Sequence, residues 1–204
     1  FYLSKDFQDT PQCLYHYFKD QFDLSKLIQK TAYRNLSLLP SSPKMAELNE
    51  LIRERVPFLD EGLSELKNSY DFILFDLPPS IEKIVLAGLV ASEEVIIPLQ
   101  THFFPMQGIA QLVQMIYDLK KQWDRDLKIS GIVPTLYDPR TRIYKQVIEE
   151  IRSTFGEKMI LPGIPYDIKL AEAPSFRKPV QLYSKNCRAS RAFDALTQKI
   201  IRMT

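Results

Sequence analysis

Tyr70-Asp71-Phe72-Ile73-Leu74-Phe75-Asp76-Leu77-Pro78-Pro79-Ser80 is the stretch that decides the fold. Residues 70–75 form an apolar, β-prone run, which predicts a buried parallel strand. Two prolines end it, because proline has no N–H for a sheet ladder and fixes φ. Asp76 therefore stands at the carboxyl end of the predicted strand, held by a stiff loop. Open α/β sheets keep their ligand sites there, and an aspartate so placed is how nucleotide triphosphatases hold Mg²⁺, the Walker B arrangement. A strand stop with a solvated aspartate gives the same local pattern. Both readings stand on these residues alone.

Working outward, helix and strand patterns alternate. Residues 11–30 have helical spacing through Leu14, Tyr17, Phe18, Leu24, Leu27 and Ile28. Residues 35–41 read as a short strand and a turn. Residues 43–68 read as helix broken or kinked at Pro57. After the strand at 70–75 come a helix near 80–91, a strand at 94–98 and an amphipathic helix at 105–123, with Ile109, Leu112, Val113, Ile116 and Leu119 on one stripe. A strand at 128–133, a turn at Asp138-Pro139, a helix at 141–155, a strand at 159–161 and a closing helix at 189–203 complete the pattern. Such alternation predicts an α/β fold, a mostly parallel sheet with helices on both faces. No internal repeat or Gly/Ser linker divides the 204 residues, so they read as a single domain.

The composition, 45% hydrophobic and 25% charged, is that of an ordinary globular chain. No apolar run approaches the roughly 18 residues of a membrane span. Cys13 and Cys187 lie far apart, and Cys13-x-x-His16 is too sparse for zinc, so both cysteines read as reduced structural thiols. His102 reads as a polar loop residue. The opening, Phe1-Tyr2-Leu3-Ser4, is neither a signal peptide nor an initiating sequence, and the chain reads as beginning inside a longer protein. The net charge of +2 hides a segregation. Residues 1–138 carry 14 Lys/Arg and 19 Asp/Glu, whereas residues 139–204 carry 13 and 6. The carboxyl third is thus predicted to present a basic surface.

In a parallel sheet the strand ends share one edge, which would gather Asp76, Gln100, Thr135 and the loop after Leu161. Hard cations prefer oxygen ligands, so Asp76 suits Mg²⁺, reached through a bound water, better than either histidine does. A triphosphate also needs a cradle such as G-x-x-x-x-G-K-[ST]. None is present: the six glycines include no pair five apart followed by lysine, and Gly156-Glu157-Lys158 has its lysine one place late. No nucleophile–base pairing of a hydrolase stands out either.

Five collinear segments together resemble the ParA/Soj-type partition ATPases, the deviant Walker A group of the MinD/ParA superfamily. The 70–80 stretch is similar to that family's YDYIIIDTPPS. Ile96-Ile97-Pro98-Leu99-Gln100, with Gly108 and Leu112, resembles VIPVQ…GLxQL, and Gly131 through Thr141 resembles GVLLTMYDxRT. Ile164 through Ser175 looks like IPRNVRLAEAPS, continued by Lys178-Pro179-Val180, and Leu36 through Ser41 fits LDLLPS. The match spans nearly the whole chain.

The resemblance implies a P-loop NTPase-like, Rossmann-like three-layer sandwich. It also implies a single domain over 1–204 that lacks the family's first strand, P-loop and switch I, which precede the position of Phe1. Cofactors would be ATP and Mg²⁺. Asp76 would organise the metal, with Pro78 and Pro79 as the γ-phosphate switch, and Thr135, Pro165, Tyr166 and Asp167 would surround the adenine. Arg140, Lys169, Arg188 and Arg191 would bind DNA. The implied partners are a second copy in a homodimer, non-specific DNA and a ParB-like centromere-binding protein. The implied location is cytoplasmic and nucleoid-associated, with no membrane. Departures are Leu77 for threonine in the switch, Tyr166-Asp167 for Arg-Asn at the adenine loop, and Lys169 for arginine, which loses a bidentate fork. A degenerate, non-enzymatic DNA-binding or regulatory module is the alternative. A MinD-like membrane ATPase is a second one, but it needs an amphipathic helix beyond the fold.

Overall fold

The computed structural model describes residues 12–45, 47, 59–78, 83–101, 106–123 and 126–203. They fall into two compact units, one within residues 3–93 and 119–127, the other within 94–118 and 128–204.

In the first unit the helix predicted over 11–30 is two helices, α1 (Leu14–Asp20) and α2 (Leu24–Leu27). Gln21 turns left-handed at φ 55 and ends α1. Asp23 then starts α2 by accepting the Ser25 N–H at 2.9 Å. Strands β1 (Gln29–Lys30) and β2 (Ser37–Leu38) pair antiparallel, with Gln29 opposite Leu38. Helix α3 (Asp60–Ser64) follows, and most of the region containing Pro57 lies outside the described residues. Leu24, Leu59, Leu63 and Leu66 form the core, with Ile73 and Phe75 packed against it. Helix α4 (Lys83–Val90) brings Gly88 so close to Leu77 that a Cβ there would lie 2.7 Å from Cδ2.

The stretch predicted as the strand 70–75 forms no ladder among the described residues. Its side chains nevertheless alternate as a strand's do. Ile73 and Phe75 pack inward, while Phe72, Leu74 and Asp76 are exposed, Leu74 at 87%. The residue pattern specifies an extended backbone, whereas a ladder needs a hydrogen-bonding neighbour that no described residue supplies.

The second unit carries a parallel sheet in the order β3-β4-β5: β3 (Glu94–Gln100), β4 (Lys128–Tyr137) and β5 (Ile164–Pro165). Helix α5 (Met106–Trp123) lies between β3 and β4 in the chain, and α6 (Arg142–Phe155) between β4 and β5, as parallel neighbours require. Period-two alternation assigns the faces. Ile97 and Ile132 pack with Val147 and Ile151 of α6, whereas Ile96 and Val133 pack toward Phe193 and Leu196 of α9 (Arg188–Ile201). Both faces of this sheet are covered. At Gly131 a Cβ would meet Leu161 Cγ at 2.6 Å, so the close approach of 159–161 to β4 needs glycine.

The predicted strand at 159–161 is reduced to one bridge, Ile160 to Ile132, and the ladder proper forms at Ile164–Pro165. Short elements that went unpredicted include α7 (Ile168–Glu172), 3-10 turns at Glu157–Met159 and Ala173–Phe176, and α8 (Val180–Tyr183). Each is too short to show a helical period.

Candidate functional site

In the second unit the strand ends converge as expected. Gln100 lies opposite Thr135, and Thr135 lies opposite Ile164, next to Pro165. The register slips between Thr135 and Tyr137, and Leu136 within the slip has φ 52, rare for a residue with a bulky side chain. The Tyr166 N–H donates to the Tyr137 carbonyl at 2.9 Å. The Tyr137 ring stacks on Tyr144 at 4.5 Å. Thr135, Pro165, Tyr166 and Asp167 are therefore brought to one sheet edge.

Their chemistry differs. Tyr166 is exposed, whereas the Asp167 side chain is nearly buried and fully engaged. One carboxylate oxygen accepts the Lys169 N–H at 3.0 Å, capping α7. The other accepts the Ala189 N–H at 3.1 Å, in the first turn of α9. Burial pushes this carboxyl's pKa up, but the backbone N–H groups of Lys169, Ala189 and Arg188 outweigh it, and the net shift is downward. Thr101, one residue beyond Gln100, is 1% exposed and its Oγ1 has no partner among the described residues. Neither Thr101 nor the Leu136 conformation was singled out from the sequence, since both depend on what surrounds a strand end.

Three of the four predicted DNA-binding cations are already engaged. The Arg140 guanidinium grips Asp138 in a bidentate pair, Nε to Oδ1 at 3.0 Å and Nη2 to Oδ2 at 2.7 Å, and its backbone N–H adds a third bond at 3.0 Å. These bonds hold the Asp138 carboxyl at about 2. Lys169 Nζ bonds Glu172 at 2.9 Å, and the same carboxylate accepts the Tyr183 hydroxyl at 2.8 Å. Arg188 donates to the Tyr166 carbonyl at 3.1 Å. The Arg191 side chain is exposed, without a partner among the described residues. Asp138 and Glu172 had no predicted role. Their spacing from Arg140 and Lys169 (two and three residues) was the signal available.

In the first unit Asp76 is exposed just beyond the 70–75 stretch and makes no hydrogen bond or ion pair among the described residues. Pro78 is exposed beside it, and Pro79 lies outside the described residues.

Comparison with known proteins completes the picture. A family model described as an AAA domain matches residues 2–129. The sporulation initiation inhibitor protein Soj of Bacillus subtilis is 33% identical over 196 residues, covering 94% of this chain and 77% of Soj. The chromosome-partitioning ATPase Soj of Treponema pallidum is 35% identical over 181 residues, covering 87% and 72%. The chain belongs to the ParA/Soj-type partition ATPases.

Its fold is likewise shared. Cobyrinic acid a,c-diamide synthase from Mycobacterium smegmatis, solved with ADP and magnesium, superposes with a TM-score of 0.81 at 25% identity, covering 98% of this chain and 75% of that one. The α/β architecture of this ParA/Soj-type chain is thus P-loop NTPase-like. Among the described residues no three His, Cys, Asp or Glu side chains gather into a metal cage. Mg²⁺ in nucleotide sites needs none, since it takes one or two carboxylates and fills its shell with phosphate oxygens and water. The unpaired Asp76 carboxylate fits that mode. In this ParA/Soj-type chain Thr135 and Pro165 lie together at the strand ends, while the Asp167 carboxylate is committed to two helix termini.

Proposed function

We propose that this chain is the working body of a partition ATPase that binds ATP with Mg²⁺, dimerises, binds DNA without sequence preference and moves plasmid or chromosomal DNA. A ParB-like centromere-bound protein would be its partner and the nucleoid its place of action. Among the described residues no helix is long and apolar enough to cross a membrane. The observation that carries the reading is the tie between the strand-end loop and the cationic helix. Asp167 caps the first turn of α9, and Arg188 on that turn bonds the carbonyl of Tyr166. A ligand settling against Thr135, Pro165 and Tyr166 would therefore move the turn that carries Arg188 and Arg191.

Bound ATP–Mg²⁺ would supply the transferable phosphate and the divalent charge. Asp76 would orient the metal through water, and Pro78-Pro79 would stiffen the loop that holds it. The cations bind DNA phosphates, which gives salt-dependent, sequence-blind affinity. Residues 1–204 hold no Gly-rich lysine loop, so on this reading the grip on the triphosphate comes from residues outside them. The domain would then be a ParA-like one completed by a first strand, P-loop and switch I.

The test is DNA binding and ATP hydrolysis by the protein read from its full coding sequence. Arg140→Ala is expected to weaken DNA binding more than it lowers hydrolysis. Equal losses would assign Arg140 to the nucleotide or the fold, and a coding sequence without a lysine loop would overturn the ATPase reading. The commitment of Asp167 to helix capping favours a second reading, a DNA-binding regulatory module without ATPase activity. Binding to DNA that ignores ATP would support it.

A further inference from the structure

The turn after α7 holds a residue type that its backbone does not favour. Arg177 closes the 3-10 turn Ala173–Phe176 with φ 51 and ψ 39. Its N–H donates to the Pro174 carbonyl at 2.9 Å, and the next N–H, of Lys178, reaches back to the Ala173 carbonyl at 3.3 Å. This is a Schellman-type closure, in which the left-handed position favours glycine because a Cβ is crowded there. Arg177 and Lys178 are both exposed, and neither makes an ion pair or side-chain hydrogen bond among the described residues. The cation thus stands at a backbone cost that no partner among the described residues offsets.

Its setting joins it to a predicted DNA contact. Phe176, 60% exposed, stacks on Tyr183 with ring centroids 4.9 Å apart. Lys169 Nζ lies 5.8 Å from the centroid of the same Tyr183 ring. One small aromatic platform therefore carries Lys169 and leads directly into Arg177-Lys178.

We infer that Arg177 and Lys178, beside the exposed ring of Phe176, form a further contact for the phosphate backbone of DNA. The inference rests on the DNA-binding reading above. A planar guanidinium matches phosphate bidentately. A phosphate at Arg177 meets a cation with no carboxylate partner among the described residues, whereas one at Arg140 or Lys169 shares its cation with Asp138 or Glu172. Adjacent cations beside an exposed ring suit a nucleic-acid strand, whose phosphates and sugar–base surface use both. An acidic peptide would use the cations alone and leave the ring uncovered.

The experiment is fluorescence anisotropy of a labelled non-specific duplex with the protein read from its full coding sequence, with and without ATP and Mg²⁺, over roughly 50–200 mM salt. Arg177→Gly is expected to weaken binding about 3-fold and reduce the salt slope by about 1. The same variant should raise the thermal midpoint by about 2 °C, because glycine fits the left-handed turn. Arg177→Lys should retain most of the affinity. A purely structural role for Arg177 would leave the slope unchanged and lower the midpoint. An Arg177→Gly protein with unaltered affinity and slope overturns the contact. So does one that loses only polyglutamate binding, which would make the turn a site for acidic protein. If Arg140→Ala and Lys169→Ala weaken DNA binding while Arg177→Gly does not, this contact alone fails. If the unsubstituted protein from the full coding sequence binds no DNA, the DNA reading fails with it.

Discussion

Asp167 shows how one carboxylate can join two distant parts of a chain. Each of its oxygens accepts an N–H from a different helix start, at Lys169 and at Ala189. Asparagine has a single acceptor oxygen, and its amide nitrogen would face a donor. We therefore expect Asp167→Asn to destabilise the fold by about 1 kcal/mol and Asp167→Ala by about 2 kcal/mol, read from denaturant unfolding. The family-like pattern at this loop has asparagine, and what the acid adds could not be seen from residue 167 alone, because Ala189 is 22 positions away. Asp138 is the local counterpart. Its carboxyl, held at about 2 by Arg140 against an ordinary 3.8, contributes stability that is fully present above pH 3.8 and lost as pH falls toward about 2. Unfolding midpoints of the unsubstituted protein and Asp138→Asn should therefore converge on acidification across that window. At neutral pH Asp138→Asn frees the Arg140 guanidinium, and DNA binding should tighten with a steeper salt dependence.

The elements divide by what their formation requires. Helices α5, α6 and α9 were legible because an apolar stripe at helical spacing is a property of the segment itself. The stretch 70–77 was legible only in part. Its continuous apolar run predicted a strand buried on both faces, but propensity does not supply a ladder partner, and only Ile73 and Phe75 pack inward while Phe72 and Leu74 stand exposed. Leu74→Ser should accordingly change stability by less than about 0.5 kcal/mol, whereas Phe75→Ala should cost about 2 kcal/mol or more. Equal, large losses would show that Leu74 is covered in solution. In the second unit Ile151 is fully buried against Ile97 and Ile132. Ile151→Ala should cost about 2–4 kcal/mol by leaving a cavity that the close-packed sheet face cannot fill. The short helices α7 and α8 were missed because four or five residues contain too little period to recognise, and tertiary capping holds them.

Over the whole molecule, protection and charge follow different divisions of the chain. Strand β4 lies between β3 and β5 with helices on both faces, so its amides within 129–135 should exchange slowest with deuterated solvent. Faster exchange there than in α9 would contradict this account of the core. The excess of cations beyond residue 138 is a composition fact. Which of them are available is not, since Asp138 and Glu172 engage Arg140 and Lys169 while Arg177 and Arg191 remain unpaired among the described residues. The sequence by itself determined the α/β class, the succession β3-α5-β4-α6 with its apolar faces, and the family, because each is carried by local period or by collinear motifs. Tertiary structure alone decided that 70–77 finds no ladder among the described residues, that Asp167 serves two helix termini and that Arg177 stands left-handed and unpaired among those residues. Those outcomes depend on which backbone groups and charges come together in space, and residue spacing does not encode that directly.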